Sequence, residues 1–350
     1  MTILHFKERP TEDRQGLLAR AYRRLILALV SVVALLAIVA CGSAQATVQL
    51  GVNTQAGATN EYRLWTKQNL SEVRSFERLT KTHSAFVGLW VNYPTEQVRL
   101  TQLQAINAHH SIPEITWEPW GPRPHVLTTT NKAVAAYCAA CVLGSTATAP
   151  IPVLGNTIHN KYDAYIRTFA RTIRRYRHTV YLRFGQEMNG SWFPWGTRNS
   201  ASTYVGAWRH IHDIFRSQHA TNVKWVWAPL ANCCLSLDRY PGAAYVDVIG
   251  FTGLNGGFSL PWGGWRPFSQ IYNNSIKTAL PLGKPFQISE TATAPGRGSV
   301  SRAQWVRGMF ADLKHFPQVK SVVWFNVDLR KQRQIDWRVG PDMTSAFAHH

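Results

Sequence analysis

The chain has 350 residues, and its hydrophobic fraction of 45% is enough to bury a large core. A net charge of +19 comes from 38 Lys and Arg against 19 Asp and Glu. The basic residues are scattered and no zinc-finger or RNP-type motif occurs, so we expect no nucleic-acid partner. Contact with an anionic cell surface accounts better for the charge.

The N-terminal segment, residues 1–46, has the pattern of an export signal. A basic region precedes the apolar run Leu25–Ala40, which is shorter than the about 20 residues that a membrane-spanning helix needs. This combination predicts a secretory signal. Three fates remain open: cleavage after Ala46, lipidation of Cys41 within a run that resembles a bacterial lipobox, or retention as an anchor. Each fate puts residues 47–350, predicted to be one domain, outside the cytoplasm, with membrane contact only through the segment or its lipid.

Four further cysteines, Cys138, Cys141, Cys233 and Cys234, bear on the same compartment. An even number in an oxidising environment predicts two disulfides, with three possible pairings. A redox CxxC would need a thioredoxin-like context, and a zinc site usually pairs two CxxC units, which a vicinal cysteine pair does not provide. We therefore predict disulfides between loops, and neither a metal site nor a cofactor.

Short apolar strands alternate with amphipathic helices along the rest of the chain. The predicted strands are Val48–Asn53, Ala85–Val91, Ile112–Trp117, Val180–Gly185, Lys224–Trp227, Val246–Phe251, Pro285–Ser289 and Ser321–Phe325. The clearest predicted helices are Ser71–Lys81, Glu96–His109, Tyr162–Arg175, Ser202–Ser217, Phe268–Leu280 and Arg302–His315. Eight strands alternating with helices, without a Gly-rich nucleotide loop, predict a closed (β/α)8 TIM barrel rather than a doubly wound sheet. The Pro- and Thr-containing run Gly121–His159 is predicted to be a long loop on the active-site face.

Two glutamates follow predicted strands that lie across the barrel mouth from each other. Glu187 comes directly after the fourth strand, and Glu290 ends the seventh. Barrel enzymes carry their chemistry at this end of the strands. Two carboxyls there can flank a glycosidic bond, because one gives a proton to the leaving oxygen while the other attacks the anomeric carbon or activates water. The alternative for each glutamate is a structural ion pair or a helix cap.

The run Arg183-Phe-Gly-Gln-Glu-Met-Asn-Gly-Ser-Trp192, followed by Pro194-Trp195-Gly196, resembles the fourth-strand signature of glycoside hydrolase family 26. Weaker matches occur in the right order over most of the remaining chain, at Ile115–Trp120, Trp227–Pro229, Tyr240–Gly250, Lys284–Glu290 and Trp324–Arg338. The resemblance implies a barrel of retaining enzymes, mostly endo-β-1,4-mannanases, with β-1,3-1,4-glucanases and β-1,3-xylanases among them. It also implies that Glu187 is the acid/base and Glu290 the nucleophile.

Seven further residues are expected to bind the polysaccharide. Three tryptophans would line the cleft and a fourth would extend it, while the others would contact the sugar or the nucleophile. The set is Gln186, Asn189, Trp192, Trp195, Trp324, Trp117 and Arg183. The alternative for the tryptophans is packing at the barrel end, and the alternative for Arg183 is a structural ion pair inside the barrel.

The sequence departs from the family pattern at three positions. Gln186 stands where the family usually has His, Thr252 replaces an acid, and Leu254 replaces a Tyr that normally contacts the nucleophile. Loss of that Tyr is expected to slow the first chemical step. A surface-tethered barrel that binds carbohydrate with weak or no catalysis is therefore the runner-up function. A structural cell-surface protein is a third alternative, but it would leave the run from Glu187 to Trp192 without a function. We expect a monomer whichever function is correct.

Overall fold

The computed structural model describes residues 48–54, 70–121, 153–231, 235–261, 264–330 and 335–348. The predicted export signal, the lipidation of Cys41 and the disulfides of Cys138, Cys141, Cys233 and Cys234 fall outside these residues and stay predictions. No helix in the described ranges is long and apolar enough to cross a membrane.

Eight parallel strands close into a barrel in which each strand pairs with the next and the last pairs with the first. The strands are β1 Gln49–Thr54, β2 Phe86–Asn92, β3 Ile112–Glu118, β4 Val180–Phe184, β5 Val223–Trp227, β6 Val248–Asn255, β7 Phe286–Thr293 and β8 Val319–Asn326. This architecture confirms the predicted (β/α)8 barrel, and each predicted strand overlaps an observed one.

Helices cover the outside of the barrel. They are α1 Ser71–Thr80, α2 Leu100–Ala108, α3 Val153–Ile158, α4 Asp163–Tyr176, α5 Ala201–Ser217, α6 Phe268–Ala279, α7 Arg302–Leu313 and α8 Thr344–Phe347. Short 3-10 turns occur at Leu237–Arg239, Leu280–Leu282 and Pro341–Met343. Side chains start two of the long helices: the Ser200 hydroxyl accepts from Thr203 N, and Ser301 forms a capping box with Gln304.

The main apolar core lies between the strands and the helices. Helix α4 shows why, since Ile166, Phe169 and Ile173 recur at helical spacing and are fully buried. Phe169 stacks on Trp117 of β3, with ring centroids 4.2 Å apart. Burying a large apolar side chain of this kind contributes about 1.5–3 kcal/mol. The strands are therefore buried on both faces, as expected for a parallel barrel.

Strand β7 carries an irregularity that the sequence did not reveal. Its register against β6 pairs Phe251 with Ile288 and then Thr252 with Glu290, so that Ser289 is the extra residue of a bulge. A bulge changes which face the following side chain points to. The strand also continues to Thr293, so the prediction that Glu290 ends it was wrong.

Candidate active site

A tight turn after β4 presents Glu187 at the barrel mouth. Gly185 and Glu187 both have positive φ angles, 55° and 54°, which reverse the chain within three residues. The Glu187 amide donates to the carbonyl of Ala228 at 2.8 Å, just after β5. The turn is further held by Asn189, which donates to Leu230 O at 2.9 Å and accepts from Leu230 N at 2.8 Å. Asn189 therefore fixes the loop, and its predicted contact with substrate stays a prediction.

The Glu187 carboxyl is mostly buried and receives two hydrogen bonds. Trp192 Nε1 donates to Oε2 at 2.8 Å, and the Thr252 hydroxyl donates to Oε1 at 2.7 Å. Burial raises the pKa of Glu187 to about 7, with the nearby charge of Glu290 acting in the same direction and the two hydrogen bonds opposing it. Near neutral pH this carboxyl is consequently able to hold a proton and to release it.

Glu290 is paired with a buried cation. Arg183 Nη2 donates to Glu290 Oε1, and the same guanidinium donates to the Thr116 hydroxyl from Nε at 3.1 Å and from Nη2 at 2.6 Å. Arg183 is fully buried, and its Nε lies 3.9 Å from Oε1 of Glu114 deeper in the barrel. A guanidinium between two carboxyls holds the Glu290 side chain in one position. Arg183 thus contacts the predicted nucleophile, as the sequence led us to expect. It also forms a structural ion pair with Glu114 inside the barrel.

Two further glutamates of β3 lie in the same region and were missed in the sequence. Burial raises the pKa of Glu114 to about 7, and it also raises the pKa of Glu118. Glu118 accepts from Gln186 Nε2 at 2.8 Å and from Trp120 Nε1 at 3.1 Å. Period-2 alternation of Glu114, Thr116 and Glu118 in an otherwise apolar strand was the signal that would have found them. The Nε2 group of Gln186 is therefore bonded to Glu118, and the contact of Gln186 with substrate stays a prediction.

The predicted tryptophans occupy two environments. Trp192 is partly exposed beside the Glu187 carboxyl. Trp195 is 1% exposed, stacks on Phe193 at 4.4 Å and donates to Gln186 O at 2.7 Å. The open mouth of the barrel therefore contains Trp192, whereas Trp195 supports the loop that carries Glu187.

Trp117 and Trp324 lie on the outer face of the barrel. Both are fully buried, and Trp324 packs against Trp305 of α7 and Phe347 of α8. Neither indole can stack on a sugar from these positions, so their predicted place in the cleft was wrong. The physical reason is strand parity, since Trp324 alternates with Phe325, and Phe325 instead points into the barrel.

An aromatic pair at the mouth was also missed in the sequence. The Trp90 and Phe325 rings stack with centroids 5.6 Å apart and planes 20° apart. Trp90 is partly exposed near the C-terminal end of β2. Its partly exposed indole has the shape and apolar character that suit the C–H face of a sugar ring.

The position where the family usually has a nucleophile-contacting Tyr holds Leu254, as the sequence indicated. A tyrosine hydroxyl from another element lies close by. Tyr272 of α6 contacts the carbonyl of Gly253 at 2.6 Å and that of Glu290 at 3.0 Å. It therefore fixes the backbone of Glu290 and not its carboxylate.

Comparison with known proteins agrees with this geometry. Residues 148–294 match the model of the family described as glycosyl hydrolase family 26. The chain is 30% identical over 300 residues to endoglucanase H of Acetivibrio thermocellus, an alignment covering 81% of this chain and 29% of that protein. It is 30% identical over 139 residues to a mannan endo-1,4-beta-mannosidase of Bacillus subtilis, covering 37% and 35%. The chain thus spans about a third of these curated relatives.

Solved structures share the fold. A GH26 beta-mannanase of Bacteroides ovatus, BoMan26A, superposes with a TM-score of 0.58 at 17% identity over 87% of this chain and 88% of that one. A modular endo-beta-1,4-mannanase of Cellulomonas fimi gives 0.54 at 16% identity, over 85% and 69%. The matched family model, the aligned relatives and the barrel with Glu187 at the end of β4 lead to one assignment. That assignment is to glycoside hydrolase family 26 for residues 148–294, and the alignment with endoglucanase H extends the similarity over 81% of the chain.

Proposed function

We propose that this protein is a retaining, endo-acting hydrolase of a β-linked polysaccharide, with Glu187 as acid/base and Glu290 as nucleophile. The observation that carries the proposal is the contrast between the two carboxyls at the barrel mouth. Burial raises the pKa of Glu187 to about 7, while Glu290 is ion-paired with Arg183. A carboxyl that can hold a proton near neutral pH, beside a second carboxyl held in place by a cation, provides an acid and a separate nucleophile for glycoside cleavage.

The chemistry then follows in two steps. Glu187 first gives its proton to the glycosidic oxygen while a Glu290 oxygen attacks the anomeric carbon, which breaks the C–O bond and forms a glycosyl-enzyme ester. Glu187, now a carboxylate, next takes a proton from water as that water attacks the same carbon and releases Glu290. In the ionised intermediate the N–H of Trp192 and the O–H of Thr252 both stabilise the Glu187 carboxylate.

The substrate class rests on the relatives and on the mouth of the barrel. The similar proteins are named as an endoglucanase and as mannan endo-1,4-beta-mannosidases. The partly exposed indoles of Trp90 and Trp192 offer apolar faces for pyranose rings. We therefore propose a β-mannan or a mixed-linkage β-glucan as substrate. We further propose that residues 47–350 act as one exported, monomeric domain, held at the membrane only through the N-terminal segment or a lipid on Cys41.

The test uses the full chain on β-mannan, mixed-linkage β-glucan and β-1,3-xylan, with product sizes followed over time. We expect a rapid fall in polymer length on one of the first two substrates, as endo cleavage produces. Proton NMR of the first products should show the anomeric configuration of the substrate. An initially inverted product would overturn the retaining mechanism. Binding without turnover by the unmutated protein would favour the carbohydrate-binding barrel instead.

A further inference from the structure

Three side chains with metal-ligating atoms meet at the end of the barrel opposite Glu187 and Glu290. Glu77 lies in the last turns of α1, His83 in the loop between α1 and β2, and His109 directly after α2. Their ligating atoms all lie within 4.8 Å of one another, which is true of no other group of three or more His, Cys, Asp or Glu in the described ranges. The cluster joins the end of α1 and the loop after it to the end of α2, where His109 lies 26 residues beyond His83.

The spacing of these atoms fits a small divalent ion. Glu77 Oε1 lies 3.1 Å from His83 Nδ1, and Glu77 Oε2 lies 3.2 Å from His109 Nε2. Bonds of about 2.0–2.2 Å arranged tetrahedrally put neighbouring ligand atoms about 3.3–3.6 Å apart, slightly farther than these two contacts. The two imidazole rings stack with centroids 5.3 Å apart. Nδ1 of His83 and Nε2 of His109 both face the Glu77 carboxyl.

The hydrogen bonds around His83 provide a second, independent observation. His83 Nε2 lies 3.2 Å from the carbonyl of His110, and a carbonyl can only accept, so this nitrogen carries the hydrogen. In the neutral imidazole Nδ1 then directs a lone pair at the Glu77 carboxylate, which also only accepts. Two lone pairs facing each other at 3.1 Å require a proton or a metal cation between them. A histidine whose other N–H is held by a backbone carbonyl is the usual arrangement of a metal ligand.

The other two ligands are similarly prepared. Ser84 N donates to Glu77 Oε1 at 2.7 Å, which fixes the orientation of the carboxylate. His109 has a side chain that is only 14% exposed, and its Nε2 faces the Glu77 carboxylate. His83 is 49% exposed on its side chain, so water has access to complete the coordination.

We propose that Glu77, His83 and His109 form a Zn²⁺ site that stabilises the fold at the N-terminal end of the barrel. Two imidazoles and one carboxylate suit Zn²⁺, whereas Mg²⁺ and Ca²⁺ prefer all-oxygen sites. Its function is to join the end of α1, the following loop and the end of α2. It takes no part in glycoside cleavage at the opposite end of the barrel.

The experiment is isothermal titration of the full chain with ZnCl₂ after removal of metal with a chelator, together with thermal unfolding. We expect a saturable site that is lost in His83→Ala and in His109→Ala and weakened at least about tenfold in Glu77→Gln, which keeps the acceptor for Ser84 N. Saturating Zn²⁺ should raise Tm of the unmutated protein by about 2–4 °C. His178→Ala, which removes an exposed histidine from the same end of the barrel, is the matched control and should behave as the unmutated protein does.

Co²⁺ separates this site from one made by the cysteines. Bound Co²⁺ should show the visible absorption of a nitrogen and oxygen site without a thiolate charge-transfer band, and the visible band should disappear in His109→Ala. The same Zn²⁺ stoichiometry and Tm response in both histidine variants as in the unmutated protein would overturn the proposal. So would the absence of Zn²⁺ binding, which would leave a proton between His83 and Glu77. Neither result would affect the proposed hydrolase activity, which is measured separately.

Discussion

Glutamates lie at both ends of the barrel, and their surroundings differ. At the mouth, Glu187 and Glu290 accept hydrogen bonds from an indole, a hydroxyl and a guanidinium, of which the indole and the guanidinium can only donate. At the N-terminal end, Glu77 is 18% exposed and faces two imidazoles that can present either a proton or a lone pair. A donor-only group holds a carboxyl as an acceptor, whereas an imidazole can face a carboxyl with either a proton or a lone pair. The mouth therefore suits the proposed hydrolysis, and the other end suits the proposed binding of a metal ion.

The largest expected effect comes from removing the two carboxyls at the mouth. Glu290→Ala should lower kcat at least about 10⁴-fold on every substrate, because the glycosyl-enzyme cannot form. Glu187→Ala should lower kcat about 10²–10⁴-fold on polysaccharide. On an aryl glycoside whose leaving group needs no proton, the loss in the first step should be much smaller. Steady-state kinetics with both substrate types would check this.

Glu77→Gln is the control from the opposite end of the barrel and should leave kcat unchanged. Equal losses for Glu187→Ala on both kinds of substrate would contradict the acid role. A loss in Glu77→Gln comparable to that in Glu187→Ala would remove the distinction between the two ends.

The second effect concerns the buried cation. Arg183→Met leaves Glu114 and Glu290 without their shared partner, and breaking a buried ion pair in this way costs about 3–5 kcal/mol. Urea unfolding would measure it, with Arg171→Met on the exposed face of α4 as the control, expected within about 0.5 kcal/mol of the unmutated protein. Combining Arg183→Met with Glu290→Gln should cost less than the sum of the single changes. Additive losses would show that the two side chains do not act as a pair.

The third effect is on the pH dependence of hydrolysis. An acid must be protonated to act, and Glu187 has a pKa of about 7, so kcat/KM should fall as the pH rises through about 7. The Thr252 hydroxyl stabilises the ionised form, so Thr252→Val should raise the pKa of Glu187. The pH at which kcat/KM falls should then rise by about one unit. Thr278→Val, on the exposed side of α6, is the control and should not change the pH at which kcat/KM falls. A downward shift in Thr252→Val would contradict the assigned donor.

The smallest effect tests burial itself, using a carboxyl beyond the end of β8 that is more exposed than Glu187. Hydrogen bonds from Arg330 lower the pKa of Asp328 from 3.8 to about 2, the opposite direction to Glu187. The ion pair of Asp328 therefore stabilises the folded protein fully at a pH above 3.8, the pKa of this carboxyl in the unfolded chain. The stabilisation is lost as the pH falls through about 2. Asp328→Asn should therefore cost less than about 1 kcal/mol at neutral pH, and the cost should disappear between pH 4 and 2. Urea unfolding at three pH values would measure it, and a constant difference would contradict the assignment.

Strand order and the position of Glu187 were predictable from the sequence. Strands alternate with helices, and Glu187 follows β4 within a specific motif, so topology alone brought it to the mouth. Glu290 was predicted at the right end of the barrel but with the wrong local structure. The bulge at Ser289 depends on the pairing of β7 with its neighbours, which no local sequence pattern encodes.

The tryptophans show where sequence reasoning failed. Both faces of a parallel barrel strand are buried, so hydrophobicity alone does not say which face Trp117 or Trp324 occupies. The alternation of side chains along the strand would have shown that Trp117 faces outward. Its neighbours Thr116 and Glu118 face the barrel interior, where they contact Arg183 and Gln186. Trp90 gave no such signal, since its place at the mouth depends on stacking with Phe325 from a strand distant in the sequence.

The left-handed backbone at Glu187 has an evolutionary consequence. A φ of 54° costs a non-glycine residue about 1 kcal/mol or more, and glycine would occupy the same turn without that cost. Selection for thermal stability alone would therefore replace this glutamate, whereas selection for turnover retains it. A Glu187→Gly protein should lose as much activity as Glu187→Ala, yet it should unfold at a higher temperature. Libraries screened only for heat resistance should consequently accept glycine at this position, at the expense of the proposed activity.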